Sequence, residues 1–314
     1  MQIGLYIIVG LILLYAGAEA LVRGSAATAL RLGISPLVVG LTVVAFGTSA
    51  PELIVSLKAS LSGSGDISLG NVIGSNICNI GLILGLSALI RPLRVQLQTI
   101  RFDVPFMIVA SSLLSFFLLG LRLSRIEGAV LFIVFLMFIL SNMGLIAKEI
   151  QKKPVKTFQE KMSLPTGSVW KDFIRIVFGL VMLFIGADFL IRGGVAAANR
   201  LGISQAVIGL TIIALGTSLP ELATSVMASY KGQNDISVGN LIGSNLFNIL
   251  FILGLSSLVH PIQGQNIRVV DLLFMLGLGM LILPLMKTGY TLKRWEGALM
   301  LGVYFVYLAL IMPT

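Results

Sequence analysis

Sliding the chain against itself by 169 positions superimposes its two halves, and no other feature restricts the fold so strongly. LTVVAFGTSAPEL at 41–53 falls on LTIIALGTSLPEL at 210–222, and DISLGNVIGSNICNIGLILGLS at 66–87 on DISVGNLIGSNLFNILFILGLS at 235–256. The same offset carries GLILLYAGAEALVRG (10–24) onto GLVMLFIGADFLIRG (179–193), and RLGIS at 31–35 onto RLGIS at 200–204. Pro92 falls on Pro261, and RIEGA (125–129) on RWEGA (294–298).

What is duplicated is a set of membrane spans. The 314 residues are 57% hydrophobic and 11% charged, too apolar for a soluble domain. Apolar stretches of about 20 residues, enough to cross roughly 30 Å of hydrocarbon, recur almost end to end. They predict ten spans: 3–22, 36–59, 67–90, 102–121, 127–147, 173–191, 205–230, 236–259, 269–287 and 296–312. The first lacks a basic leader and a small-residue cleavage site, so it reads as a permanent helix rather than a signal peptide.

Each repeat therefore holds five spans. Five is odd, so the second copy must cross the membrane in the opposite sense to the first, about a pseudo-twofold axis in the membrane plane. The expected fold is an all-α integral membrane protein of ten transmembrane helices in two inverted five-helix repeats, 1–147 and 173–314. The polar joint 148–172 reads as a flexible cytoplasmic linker, too short to be a domain.

Orientation follows the basic residues in short loops. Of the 22 Lys and Arg, one side carries Lys58, Arg122, Arg125, Arg192, Arg200 and Arg268, and the other carries the remaining 16. The richer side is expected to be cytoplasmic, which places both termini outside. This explains the net charge of +9 through topology and anionic lipid headgroups rather than nucleic acid. The single cysteine, Cys78, excludes an internal disulfide and a thiolate metal cage, and His260 is equally alone.

The repeated helices carry the chemistry. Ala45, Thr48, Ser49, Glu52 and Ser56 are spaced i, i+3, i+4, i+7, i+11, one face of a helix, and Ala214, Thr217, Ser218, Glu221 and Ser225 repeat it. Pro51 and Pro220 lack the N–H that would reach the carbonyls of Gly47 and Gly216, so a kink is expected there. The next span adds Asn71, Ser75 and Asn79, repeated as Asn240, Ser244 and Asn248.

A carboxylate inside a span costs about 2.5–3.5 kcal/mol on insertion scales, so Glu52 and Glu221 need a cation, a proton or a polar cavity. No Lys, Arg or His shares their face. The donors are hard oxygens, which suit Ca²⁺ and Na⁺ over Zn²⁺ or Cu. One Ca²⁺ or two Na⁺ would offset two carboxylates, and mutual exclusion at one site produces exchange.

The paired GTSAPE and GTSLPE, with the paired GNxIGSNxxN, resemble the two alpha-repeats of the sodium/calcium exchanger superfamily, in particular its short prokaryotic calcium/sodium antiporters. The likeness covers nearly the whole chain. It implies an ion site formed by the second, third, seventh and eighth spans, with the first and sixth sliding past them. By position it implies that Glu52 and Glu221 are the shared Ca²⁺ and Na⁺ carboxylates. Thr48 and Thr217 would coordinate Ca²⁺, Ser49, Ser218, Ser75 and Ser244 would serve Na⁺, and Ala45 and Ala214 would lend carbonyls. Asn79 and Asn248 would flank the centre. Some relatives carry Asp where this chain has Asn248, so a third charged ligand is missing and potassium-independent exchange is expected. The short linker leaves no room for calcium-sensing domains.

Ca²⁺ and Na⁺ are thus expected as substrates, with no cofactor, in a plasma or prokaryotic inner membrane. The rival reading is H⁺-driven exchange of Ca²⁺ or another divalent cation, since a membrane glutamate can trade metal for protons. An intramembrane hydrolase lacks a nucleophile–base pair or an H-E-x-x-H motif, and a passive channel fits a broken-helix inverted repeat less well. Against an ion role, the hydroxyls could bond back to i−4 carbonyls and the asparagines could be interhelical glue. Asn71, Asn76, Asn240 and Asn245 are therefore left outside the ligand set.

Overall fold

The computed structural model describes residues 2–152, 168–200 and 214–311. In chain order the helices are α1 (Gln2–Leu32), α2 (Pro36–Thr48), α3 (Ala50–Leu61), α4 (Gly65–Ile90), α5 (Thr99–Gly120) and α6 (Arg125–Lys152). They continue with α7 (Val169–Arg200), α8 (Leu219–Tyr230), α9 (Asn234–Val259), α10 (Val269–Lys287) and α11 (Arg294–Ile311). Among the described residues eight helices can cross a membrane, and α2 with α3 forms one further span bent by 48°. A short turn, Ala214–Gly216, precedes α8. The rest of the expected span 205–230 lies outside the described residues.

Four two-residue strands show the inversion directly. Leu93–Arg94 (β1) pairs antiparallel with Thr291–Leu292 (β4), and Arg122–Leu123 (β2) with Ile262–Gln263 (β3). The 169-residue offset sends Leu93 to Ile262 and Leu123 to Leu292, so it converts one pairing into the other. A strand that ends one span of the first repeat thus pairs with the strand that opens the last span of the second. The two ladders are the two ends of one pseudo-twofold arrangement, and the protein is an all-α membrane fold of inverted repeats.

The polar helices are the innermost. The apolar windows of α4 and α9 are 72% and 78% buried, against 28–39% for the other unbroken spans, so these two helices sit at the centre. Large apolar side chains such as Leu5, Ile12, Phe116, Ile126 and Phe305 remain exposed on the outer helices, as a lipid-facing surface requires.

Two helices exceed the hydropathy boundaries. α1 runs ten residues past the expected end at 22, and α7 nine past 191. α1 stops only where Gly33 takes a positive φ of 66°, a conformation glycine accepts without a Cβ penalty. α6 and α7 also carry helix into the ends of the expected joint 148–172, and 153–167 lie outside the described residues.

α1 and α7 pack along each other through glycines. A Cβ on Gly17 would meet the Gly179 carbonyl at 2.8 Å, and one on Gly186 the Leu14 N–H at 2.8 Å. Asp172 locks this pair at one end. It is fully buried, and its carboxylate holds Arg31 at 2.5 Å and Arg175 at 3.0 Å. Glu19 pairs with Arg23 and Asp188 with Arg192 at i,i+4 spacing, and Glu19 also takes Lys231 at 2.6 Å. Removing one member of a buried pair leaves the other charge uncompensated, at a cost of about 3–5 kcal/mol. Asp172→Ala is therefore expected to lower the melting temperature in detergent by several degrees, and an unchanged midpoint would show that Arg31 reaches water without it.

Candidate functional site

The break in the second span aims the polar stripe inward. Ser49 leaves helical geometry (φ −82°, ψ 7°), Pro51 is the second residue of the next helix, and Glu52 falls in its first turn. Ser218 (φ −86°, ψ 6°), Pro220 and Glu221 repeat the arrangement. The first turn of a helix carries unpaired N–H groups and the positive end of the dipole, a favourable place for a carboxylate. Both glutamates are 1% exposed.

Each glutamate is held by serines of both repeats. Ser49 Oγ donates to Glu221 Oε1 at 2.9 Å, and Ser244 Oγ lies 3.4 Å from the same atom. In the other half, Ser218 Oγ lies 3.3 Å from Glu52 Oε1 and 3.2 Å from Ser75 Oγ, which is itself 3.5 Å from Glu52 Oε1. The motif serine of one repeat thus bonds the glutamate of the other. No salt bridge among the described residues involves either carboxylate.

The threonines reach across as well. Thr48 Oγ1 lies 3.0 Å from Asn240 Oδ1 and 3.1 Å from the Val44 carbonyl, and Thr217 Oγ1 lies 3.4 Å from Asn71 Oδ1. Asn71 and Asn240 then donate to Ser56 Oγ and Ser225 Oγ, both at 2.9 Å. These asparagines brace the broken spans against α4 and α9. Ala45 is buried, and its carbonyl accepts the Ser49 N–H at 3.0 Å with Thr48 Oγ1 at 3.4 Å. Ala214 opens the short turn before the second break.

Among the buried polar atoms without a hydrogen-bond partner are Glu52 Oε2, Glu221 Oε2, Asn79 Oδ1 and Asn248 Oδ1. They form two pairs related by the repeat offset. A buried acceptor left alone costs about 1–3 kcal/mol, more when charged, so each of these oxygens asks for a donor or a cation. No group of three His, Cys, Asp or Glu side chains assembles among the described residues, so the charge of the site is that of its two glutamates. Such a set, two carboxylates among neutral oxygens, fits hard cations.

Two further asparagines, outside the expected ligand set, complete the centre. Asn79 Nδ2 donates to Asn245 Oδ1 and Asn248 Nδ2 to Asn76 Oδ1, both at 3.0 Å. The signal for them was present, since Asn76 and Asn245 are duplicated polar residues inside apolar spans. Turns of π-helix begin at Asn79 and include Asn248 (Asn79–Leu84 and Phe247–Leu253), a local irregularity frequent at functional sites.

Comparison with known proteins bears on the family and the fold. The sodium/calcium exchanger protein family model matches residues 3–144 and 171–312, one segment for each repeat. The chain is 32% identical to the sodium/calcium exchanger MaX1 of Methanosarcina acetivorans, over 98% of this chain and 97% of that protein. It is 40% identical to the putative antiporter CaxA of Alkalimonas amylolytica, over 82% of this chain and 81% of that one. A solved structure of the sodium-calcium exchanger NCX_Mj superimposes with a TM-score of 0.80 at 33% identity, covering 99% of both chains. The family is one of transporters, not enzymes, and its model matches one repeat on each side of the joint. With its duplicated halves, inverted helices and paired buried glutamates, the chain belongs to the sodium/calcium exchanger family.

Proposed function

We propose that this protein exchanges Na⁺ for Ca²⁺ across a cell membrane by alternating access, in the direction of Ca²⁺ efflux. One observation carries the reading. Two buried carboxylates, without a cationic partner among the described residues, and two buried amide oxygens without donors recur at the same positions of the two repeats. Ca²⁺ binds between the glutamates with Thr48, Thr217, Asn79 and Asn248. Na⁺ takes the two carboxylate–serine clusters, Glu52 with Ser218 and Ser75, and Glu221 with Ser49 and Ser244. Ala45 and Ala214 add backbone oxygen.

The clusters share the carboxylates, so occupation by one ion excludes the other. Either one Ca²⁺ or two Na⁺ offsets their charge, and the loaded site can then be carried through the bilayer without a buried net charge. The sliding pair is α1 with α7, whose glycine contacts leave a smooth seam. The face bearing the 16 basic residues is cytoplasmic, against anionic headgroups, and both termini are outside. The names of MaX1 and NCX_Mj support Na⁺ as the countersubstrate.

Reconstitution into proteoliposomes with Na⁺, K⁺ and pH gradients imposed separately tests this. An outward-directed Na⁺ gradient is expected to drive ⁴⁵Ca²⁺ uptake, with K⁺ indifferent. Uptake that follows a pH gradient and ignores Na⁺ would replace the reading with H⁺/Ca²⁺ antiport, and flux without any countersubstrate would make the protein a channel.

A further inference from the structure

The central asparagines form a closed set whose amide polarity is determined by two backbone carbonyls. Asn76 Nδ2 donates to the carbonyl of Asn245 at 3.3 Å, and Asn245 Nδ2 to the carbonyl of Asn76 at 3.5 Å, with Met107 Sδ also 3.5 Å away. A carbonyl can only accept, so each of these amides must turn its NH₂ towards the opposite backbone and its oxygen away. That oxygen then meets the second amide. Asn76 Oδ1 accepts from Asn248, and Asn245 Oδ1 from Asn79, each at 3.0 Å. Asn248 and Asn79 must therefore spend their NH₂ groups on the brace, and their oxygens are the ones left without donors. All four side chains are at most 2% exposed.

We propose that Asn76 and Asn245 are positioning residues that fix the polarity of the cation site, forcing Asn79 and Asn248 to present oxygen rather than NH₂ to the ion. The proposal rests on the reading that those oxygens face the cation. It also couples position 76 to position 248. An Asp at 248 has no proton for Asn76 Oδ1, so that substitution breaks the brace while it adds charge, and its two equivalent oxygens no longer need orienting.

A double-mutant cycle separates orientation from packing. Asn76→Ala, Asn248→Asp and the double variant are reconstituted, with melting followed in detergent, and the apparent KM for Ca²⁺ is compared with the maximal exchange rate. Asn76→Ala alone is expected to raise KM about tenfold, the effect of losing one oriented charge–dipole contact worth about 1.4 kcal/mol, with the maximal rate within about threefold. In the Asn248→Asp background the same change is expected to move KM less than about twofold. An equal loss in both backgrounds, or none in either, overturns the proposal. Asn248→Ala with an unaltered KM would remove the site reading, and this inference with it. Should Asn76→Ala not fold, the symmetry-related cycle of Asn245→Ala with Asn79→Asp asks the same question.

Discussion

Glu52→Gln and Glu221→Gln are each expected to reduce Na⁺-driven Ca²⁺ exchange at least a hundredfold, about 2.7 kcal/mol or more of lost ion stabilisation, while the protein stays folded. Gln matches Glu in shape and can keep an oxygen towards its serine partners, so packing is preserved. What disappears is one of two charges. A site with one carboxylate cannot offset Ca²⁺, and the charge left over sits in a low-dielectric interior where it costs several kcal/mol. The amide also turns an NH₂ donor into a place that now holds a donorless acceptor, Oε2. The two variants should fail alike, because the environments are related by the repeat: Glu52 has Ser218 and Ser75, and Glu221 has Ser49 and Ser244. Melting in detergent should be unchanged or raised, since one buried charge without a cationic partner is removed. Exchange within threefold of the unsubstituted protein, measured in the same vesicles, would remove that glutamate from the site.

How much of this was readable in the chain depends on the range of the interaction. The offset of 169, the count of five spans and the odd-number argument were enough to give the inverted fold. The same-face spacing of Thr48, Ser49 and Glu52 placed them together because about one helical turn needs no tertiary knowledge. Bonds between the halves were not readable in that way. That Ser49 belongs to Glu221 rather than to Glu52 depends on how the broken spans cross, which no periodicity within one helix contains. Asn76 lies one position beyond Ser75, off the stripe of Asn71, Ser75 and Asn79, and only the crossing of α4 with α9 shows why it is there. The lengths of α1 and α7 escaped hydropathy for a different reason. The last turn of α1 is held by Gly33 geometry and by Arg31 with Asp172, which lies in the first turn of α7, a pairing 141 residues apart in sequence. Two-residue strands are too short for any alternation to register.

Gly243→Val is expected to cut exchange at least tenfold and to destabilise the protein by about 1–3 kcal/mol, the usual cost of overpacking. Gly243 lies on α9 where α2 crosses it. A Cβ there would sit 2.6 Å from the Leu41 carbonyl oxygen and 2.7 Å from Ala45 Cβ, and at Gly239, one turn earlier, a Cβ would sit 2.7 Å from the Leu37 carbonyl. These are backbone or backbone-anchored atoms, so the contact is relieved only by moving one helix from the other. Separation acts directly on the site, because Thr48 at the end of α2 is 3.0 Å from Asn240 on α9 and Ser244 adjoins the substituted position. A shift of about one ångström takes such a bond outside hydrogen-bonding range and carries Ser49 away from Glu221. Gly277→Ala is the control, since a Cβ at that position on α10 meets nothing within 4 Å. Equal flux in Gly243→Val and Gly277→Ala would mean that α2 can move off α9 without disturbing ion binding, and the site would then have to be rebuilt without Thr48 and Ser49.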